Sequence, residues 1–318
     1  MDLTDNLIDY GQGIYAIDAG YLRPGLAAVH LIVEDGRVAV VDTGTRHSLP
    51  ALLRALQHLG LGVAAVDYVL LTHVHLDHAG GAGALMGLCP NARLVVHPRG
   101  APHMIDPARL VAGSIAVYGE ARFRELYGEI VPVAAERVVH APDGFELDLA
   151  GRRLVFLDTP GHARHHLCIF DAASGGVFTG DAFGLSYREL DVNGRPFVFP
   201  TTTPVQFDPE AAHASIDRIL SFKPRAAYLT HFGRVEDLPR LAADLHELLD
   251  AFVRIADAAP QDRTRRQAEI AAGLESLLIE RLRWHGCTLS DDDLRTLLAQ
   301  DVELNAQGLS VWLDKNTR

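Results

Sequence analysis

Apolar residues in the first 60 positions come in short runs broken by turns. Ile14 to Ile17, Val29 to Val33 and Val38 to Val41 are β-type runs, the last two joined across Glu34-Asp35-Gly36-Arg37, and they predict antiparallel strands. Leu49 to Leu59 has helical character. The run Val66 to Leu71 predicts a strand, and it ends abruptly in Thr72-His73-Val74-His75-Leu76-Asp77-His78. Gly80, Gly81 and Gly83 then permit a tight start to another helix, and Leu94 to Val96 predicts another strand. The segment from Ala101 to Tyr127 reads as helical and irregular.

The β pattern resumes at Phe145 with a hairpin turning at Ala150-Gly151. Strands follow at Leu154 to Leu157, at Leu167 to Phe170 and near Val177 to Phe178, and a further one at Ala226 to Leu229. VVDTG at Val40 to Gly44 is echoed by FLDTPG at Phe156 to Gly161, a faint sign of two related halves. After residue 235 the period changes. Apolar residues at 238, 241, 245, 248, 249 and 252, and then at 270, 274, 277, 278 and 282, have helical spacing. Ser290, with Asp293 three residues on, resembles the capped start of a third helix. The chain is therefore expected to divide into a domain at 1–235 and a C-terminal helical extension at 236–318. The apolar surface of Ile270 to Trp284 and of Val311, Trp312 and Leu313 is more than a short tail hides by itself, so the extension is expected to form a homodimer contact or to cover the pocket mouth, the alternative being packing on its own sandwich.

Composition narrows the class. The chain has 318 residues, 48% of them apolar and 22% charged, which suits a globular protein with a sizeable core. A formal net charge of −12 disfavours nucleic acid or an anionic membrane surface as a general partner, so the expected partner is a small-molecule substrate. Met1 to Tyr10 shows no secretory pattern, and no apolar run reaches membrane-spanning length. Cys89, Cys168 and Cys287 are odd in number and far apart, which fits a reducing compartment and points to the cytoplasm by elimination.

Histidine changes the picture, with 16 in the chain and several in tight clusters. An extended chain points His73 and His75 the same way, so that the pair can grip one ion, while Asp77 and His78 lie past the turn and can face a second. Further ligand types recur as His162 in TPGHARHH, Asp181 in FTGDAFG and His231 in YLTHFG, each just after a predicted strand and beside glycine.

Through HVHLDH at 73–78, PGH at 160–162, TGD at 179–181 and THFG at 230–233, the sequence resembles the metallo-β-lactamase fold superfamily over roughly residues 10 to 235. The resemblance implies a four-layer αββα sandwich of two mixed β-sheets with metals at one edge. It implies His73, His75 and His162 at a first metal, Asp77, His78 and His231 at a second, and Asp181 bridging them. Asp181 sets the sequence apart from true β-lactamases and brings it closer to glyoxalase II-like thioesterases, lactonases and phosphodiesterases, and His75 stands where the flavodiiron branch has Glu. His165 departs from the Gly usual after TPGH. Asp42 in VVDTG resembles the aspartate that orients a ligand imidazole, although a turn role fits it too, and His166 is placed to support the site in the same way.

Tyr187, Phe197 and Phe199 suit either a substrate-pocket wall or packing beneath a loop, and Met104, Ile105, Phe123 and Tyr127 offer an opposite wall on the same terms. His97 and His103 read as packing or surface residues, and Cys168 as core. The implied activity is hydrolysis of a thioester, ester or lactone by a metal-bridging hydroxide, with Asp77 and Asp181 as catalytic carboxylates. Two divalent ions would serve, Zn2+ first and Fe or Mn next. The rival activities are a mononuclear-iron persulfide dioxygenase and a phosphodiesterase.

Overall fold

A computed structural model describes residues 7–316 of the chain; part of the Met1 to Tyr10 stretch read above therefore lies outside the described residues. Two compact units emerge. The first comprises 1–158, 165–180 and 223–236, and the second 159–164, 181–222 and 237–318. The last segment of the first unit ends at residue 236, and the second unit takes in two segments from the middle of the chain besides 237–318.

The first unit holds both sheets. In chain order its strands are β1 (Leu7–Asp9), β2 (Ile14–Asp18), β3 (Ala28–Glu34), β4 (Arg37–Val41), β5 (Val66–Leu70), β6 (Arg93–Val96), β7 (Val138–His140), β8 (Glu146–Leu149), β9 (Arg152–Asp158), β10 (Leu167–Asp171), β11 (Gly176–Gly180), β12 (Ala226–Leu229) and β13 (Gly233–Val235). One sheet runs β1 to β7 in sequence order, antiparallel as far as β4 and parallel from β4 to β7. The other runs β13-β12-β11-β10-β9-β8, parallel between β11 and β12 and antiparallel elsewhere. Both are mixed sheets.

Alternation explains the core. Ile14, Ile32, Val41, Leu70 and Val95 from the first sheet join Leu154, Phe156, Ile169 and Phe178 from the second in one buried cluster. The helices of this unit are α1 (Leu49–His58), α2 (Leu76–Ala79), α3 (Ala82–Leu88), α4 (Ala101–Ile105), α5 (Ala108–Tyr118) and α6 (Glu120–Tyr127). The irregular stretch at 101–127 is thus three short helices, broken at Asp106-Pro107 and at Gly119.

The second unit is helical, with α7 (Pro209–Ser221), α8 (Leu238–Asp257), α9 (Arg263–His285) and α10 (Asp291–Asn316). The stripe Ile270, Leu274, Leu278 and Leu282 is fully buried, and α9 packs on α8 and α10. The cover that this stripe requires is thus supplied within the chain, and of the two tryptophans Trp284 stands out, 78% exposed. The cap read at Ser290 is present, since its hydroxyl accepts from the Asp293 amide at 3.1 Å. Two mixed sheets with flanking helices, followed by C-terminal helices, are the α/β sandwich that the sequence predicts. The three cysteines are free and buried, and among the described residues no helix is long and apolar enough to cross a membrane.

Candidate metal centre

Strand β5 ends at Leu70, so the histidine motif leaves the sheet as loop before α2 begins at Leu76. His75 is the N-cap residue of α2 and Asp77 lies in its first turn, where a carboxylate suits the helix dipole. Asp42, just past the end of β4, organises the loop from beneath. Its buried carboxylate accepts from the Thr72 amide at 2.9 Å, the Thr72 hydroxyl at 2.9 Å, His78 Nδ1 at 2.7 Å and the Thr230 hydroxyl at 2.8 Å. It adopts φ +54°, a left-handed conformation that aspartate tolerates better than most residues.

Those bonds fix tautomers. With Nδ1–H donating to Asp42, His78 presents a lone pair at Nε2; with Nδ1–H donating to the Leu26 carbonyl at 2.9 Å, His231 does the same. Both Nε2 atoms face Asp77 Oδ2, at 3.6 and 3.3 Å. Three acceptors converging without a proton between them would repel one another, whereas a cation among them removes the conflict. Separations of this size match the edge of a tetrahedron with bonds of about 2.1 Å, roughly 3.4 Å. The donor set therefore fits a divalent metal.

The same logic holds nearby. The Thr72 hydroxyl proton is given to Asp42, so its oxygen accepts from His73 Nδ1–H at 3.2 Å. His73 Nε2 then faces His75 Nδ1 at 3.0 Å. His166 is fully buried, its ring 5.0 Å from that of His73. A Cβ on Gly180, which has φ +47°, would lie 2.7 Å from His166 Nε2 and 2.6 Å from the Thr72 hydroxyl. Glycine is required there because no side chain fits. In the second unit His162 Nε2 lies 3.3 Å from Asp181 Oδ2, and His162 Nδ1–H points to the Thr201 carbonyl at 3.5 Å. Again a lone pair meets a carboxylate oxygen.

The remaining predicted residues separate. Tyr187, Phe197 and Phe199 are buried in the helical unit, and the Tyr187 hydroxyl donates to the Asp301 carboxylate at 3.0 Å. His97 is buried against Asp158, its Nε2 3.3 Å from the carboxylate. His103 sits on α4 with its ring 6.2 Å from that of His165, and the His165 ring in turn lies 6.0 Å from that of His75. Met104, Phe123 and Tyr127 are buried, Ile105 half-buried.

Sequence reasoning does not reach Tyr21 and Tyr118. Tyr21 and Tyr127 join hydroxyls at 3.0 Å, and the Tyr118 ring lies 5.8 Å from that of Tyr127. Burial is the main force raising all three phenols above their ordinary range, and the Asp77 carboxylate adds to it in each case. Scattered tyrosines carry no spacing signal, so only the fold brings them together.

The two sheets and the paired His/Asp clusters define a metal-binding α/β-sandwich protein. The family model of the metallo-β-lactamase superfamily matches residues 22–231, and the chain belongs to that superfamily. Among its relatives, a metallo-β-lactamase fold-containing protein of Sulfurisphaera tokodaii is 29% identical over 234 residues, covering 70% of this chain and 80% of the relative. A hydroxyacylglutathione hydrolase of Alkalilimnicola ehrlichii is 29% identical over 268 residues, covering 80% of this chain and 84% of the relative. In structure, a metallo-β-lactamase family protein of Thermus thermophilus superposes with a TM-score of 0.69 at 23% identity, covering 97% of this chain and 95% of its own. The superfamily's fold binds divalent metal, and most of its members are metal-dependent hydrolases.

Proposed function

We propose that the chain is a dinuclear-metal hydrolase of ester-like bonds, a thioesterase, esterase or lactonase, in which His73, His75 and His162 would hold one ion, Asp77, His78 and His231 would hold another, and Asp181 would serve both. The observation that carries this reading is the facing of acceptor on acceptor, His78 and His231 against Asp77 in one unit and His162 against Asp181 in the other. The relatives named hydroxyacylglutathione hydrolases support acyl transfer to water over other chemistry. Zinc suits the nitrogen- and oxygen-rich donor set, and iron or manganese is the alternative.

Divalent ions, when bound, supply a water acidified to near neutrality and polarise the substrate carbonyl. The chain's own residues do the rest. Asp42 holds His78 in the tautomer that offers Nε2, and the Leu26 carbonyl does so for His231. Asp77 is 22% exposed in its side chain while its histidine neighbours are almost wholly buried. It is thus the carboxylate able to orient water and pass its proton to the leaving group.

A panel of thioesters, lactones and phosphodiesters, assayed with and without oxygen, tests the reading. Anaerobic turnover of an ester-like substrate with two metals per chain is expected. Oxygen consumption with one iron per chain would overturn it in favour of a dioxygenase.

A further inference from the structure

Helices α7 and α8 of the second unit carry the same short pattern, a histidine with an aspartate four residues on: His213 and Asp217 on α7, His246 and Asp250 on α8. Residues at that spacing share a helix face. The two helices pack on each other, and their carboxylates cross over. His246 Nε2 lies 3.2 Å from Asp217, and His213 Nε2 lies 3.2 Å from Asp250. Between the helices Nδ1 meets Nδ1 at 2.6 Å. The rings are parallel to within 6° with centroids 4.9 Å apart. The nitrogens approach much closer than the centroids, so the rings meet nitrogen to nitrogen rather than face on face. None of these four residues belongs to the His/Asp clusters described above.

A carboxylate only accepts, so each Nε2 carries a proton toward its aspartate. Both Nδ1 lone pairs are then turned on each other, and a positive charge has to stand between them. A single proton can do this in the ion-free chain. A divalent ion does it with matched charge, because two neutral imidazoles, two carboxylates and the ion sum to zero. An imidazole whose far N–H is held by a carboxylate is also the arrangement that orients a histidine ligand and raises its basicity. To seat an ion the Nδ1 atoms must part to about 3.4 Å, the edge of a tetrahedron with bonds of about 2.1 Å. Both side chains are 29% exposed, which leaves them room to swing and lets water complete the coordination.

We propose that His213 and His246 form a further metal site, with Asp250 and Asp217 as the carboxylates that orient them, and that it takes one divalent ion of the kind that favours imidazole, zinc, nickel or copper. The entering ion displaces the shared proton to solvent. With two nitrogens from the protein, this is a weak site that empties when free ion is removed. Its occupant fastens α7 to α8. Helix α7 is also where the His162 loop rests, since the Ser215 hydroxyl donates to the Pro160 carbonyl at 2.5 Å and the Asp208 amide to the Gly161 carbonyl at 2.8 Å. The ion thus braces the helix that seats that loop.

The test uses the full chain loaded with Zn2+, freed of excess ion and then titrated with further Zn2+ in calorimetry and equilibrium dialysis. The wild type should take up one more ion per chain, with a heat that depends on the ionisation enthalpy of the buffer because a proton is released. Its melting temperature should rise with added Zn2+. His246→Ala should weaken the uptake about tenfold or more and abolish the rise, while the number of ions held before titration stays as in the wild type. His213→Gln, which keeps a hydrogen-bonding side chain of similar length, should do the same and serves if the alanine variant fails to fold. Asp250→Asn should weaken the uptake about tenfold.

A wild type that takes up no further ion overturns the proposal, and so do variants that take it up as the wild type does; the pair then shares a proton and nothing more. Only the difference between wild type and variant is read. The result therefore does not depend on how many ions the other histidines hold, and it stands apart from the hydrolase reading.

Discussion

The Asp42 carboxylate accepts from two hydroxyls, one amide and one imidazole while buried. Asp42→Ala leaves those donors without an acceptor and His78 without an orienting partner. It is expected to cost about 3–5 kcal/mol in urea unfolding and to weaken metal binding about 10- to 100-fold in a chelator competition. Unchanged metal affinity would show that orientation of His78 is unimportant. VVDTG singles this residue out in the sequence, but only the fold decides between a turn and an orienting role, since its partners are 30 to 188 positions away. His30 on β3 has no sequence signal at all. It is buried among Phe178, Tyr228 and Tyr10, and burial pushes its imidazole down to about 4, against a smaller opposing pull from Asp42. In the unfolded chain it titrates near its ordinary value of 6.5. Between these values the unfolded state binds the extra proton, so stability rises with pH across the window and is lost as pH falls through it. The loss reaches about 3 kcal/mol at the low end. His30→Phe should abolish this part of the slope between pH 6.5 and 4 in denaturant titrations; an unaltered slope would assign the dependence to other groups.

At the scale of elements, the loops that carry the proposed ligands are legible because each follows an apolar strand and carries a glycine or a polar break. The strands β1, β7 and β13 are not, since three residues leave no period to read. Helix α7 also escapes, although Asp208 caps it by accepting from the Ala211 amide and Pro209 opens it. Its apolar residues Ile216, Ile219 and Leu220 are too few to outweigh the alanines flanking His213 and polar positions such as Asp217. The buried ion pair of Arg152 on β9 with Asp171 on β10 also bonds the Gln12 carbonyl and Glu34, and so ties the second sheet to the first. Arg152→Ala should cost about 3–5 kcal/mol in urea unfolding, because it strands a buried carboxylate; a cost below about 1 kcal/mol would mean that Asp171 finds other donors. In the helical unit a Cβ on Gly308 of α10 would lie 1.6 Å from the Thr202 carbonyl oxygen. Glycine to alanine within a helix ordinarily stabilises by about 1 kcal/mol. Here the sign should reverse, with Gly308→Ala lowering the melting temperature; a rise would mean that α10 packs otherwise.

At the scale of the whole molecule, the C-terminal helices are harder to read than the sandwich. Helical spacing reveals α8, α9 and α10, but not what they cover, since a stripe does not name its partner. Tyr187 bonds Asp301, and Thr202 bonds Asn305 through both its amide and its hydroxyl. Truncation after Asp237 would remove both of those partners and uncover Phe197, whose ring packs 5.5 Å from that of His285, so an aggregated product is expected in light scattering. A soluble, metal-loaded truncation product would contradict that packing. The seven proposed ligand residues are legible because motif order and the glycines beside them are local features, whereas the cluster of Tyr21, Tyr118 and Tyr127 is assembled only by folding. Metal stoichiometry by elemental analysis, on protein purified without added metal and then reconstituted, bears most directly on the central claim. Two ions per chain are expected for the wild type and at most one for Asp181→Ala, with turnover of the ester-like substrate lost in the variant. Two tightly held ions in Asp181→Ala, with turnover intact, would contradict it.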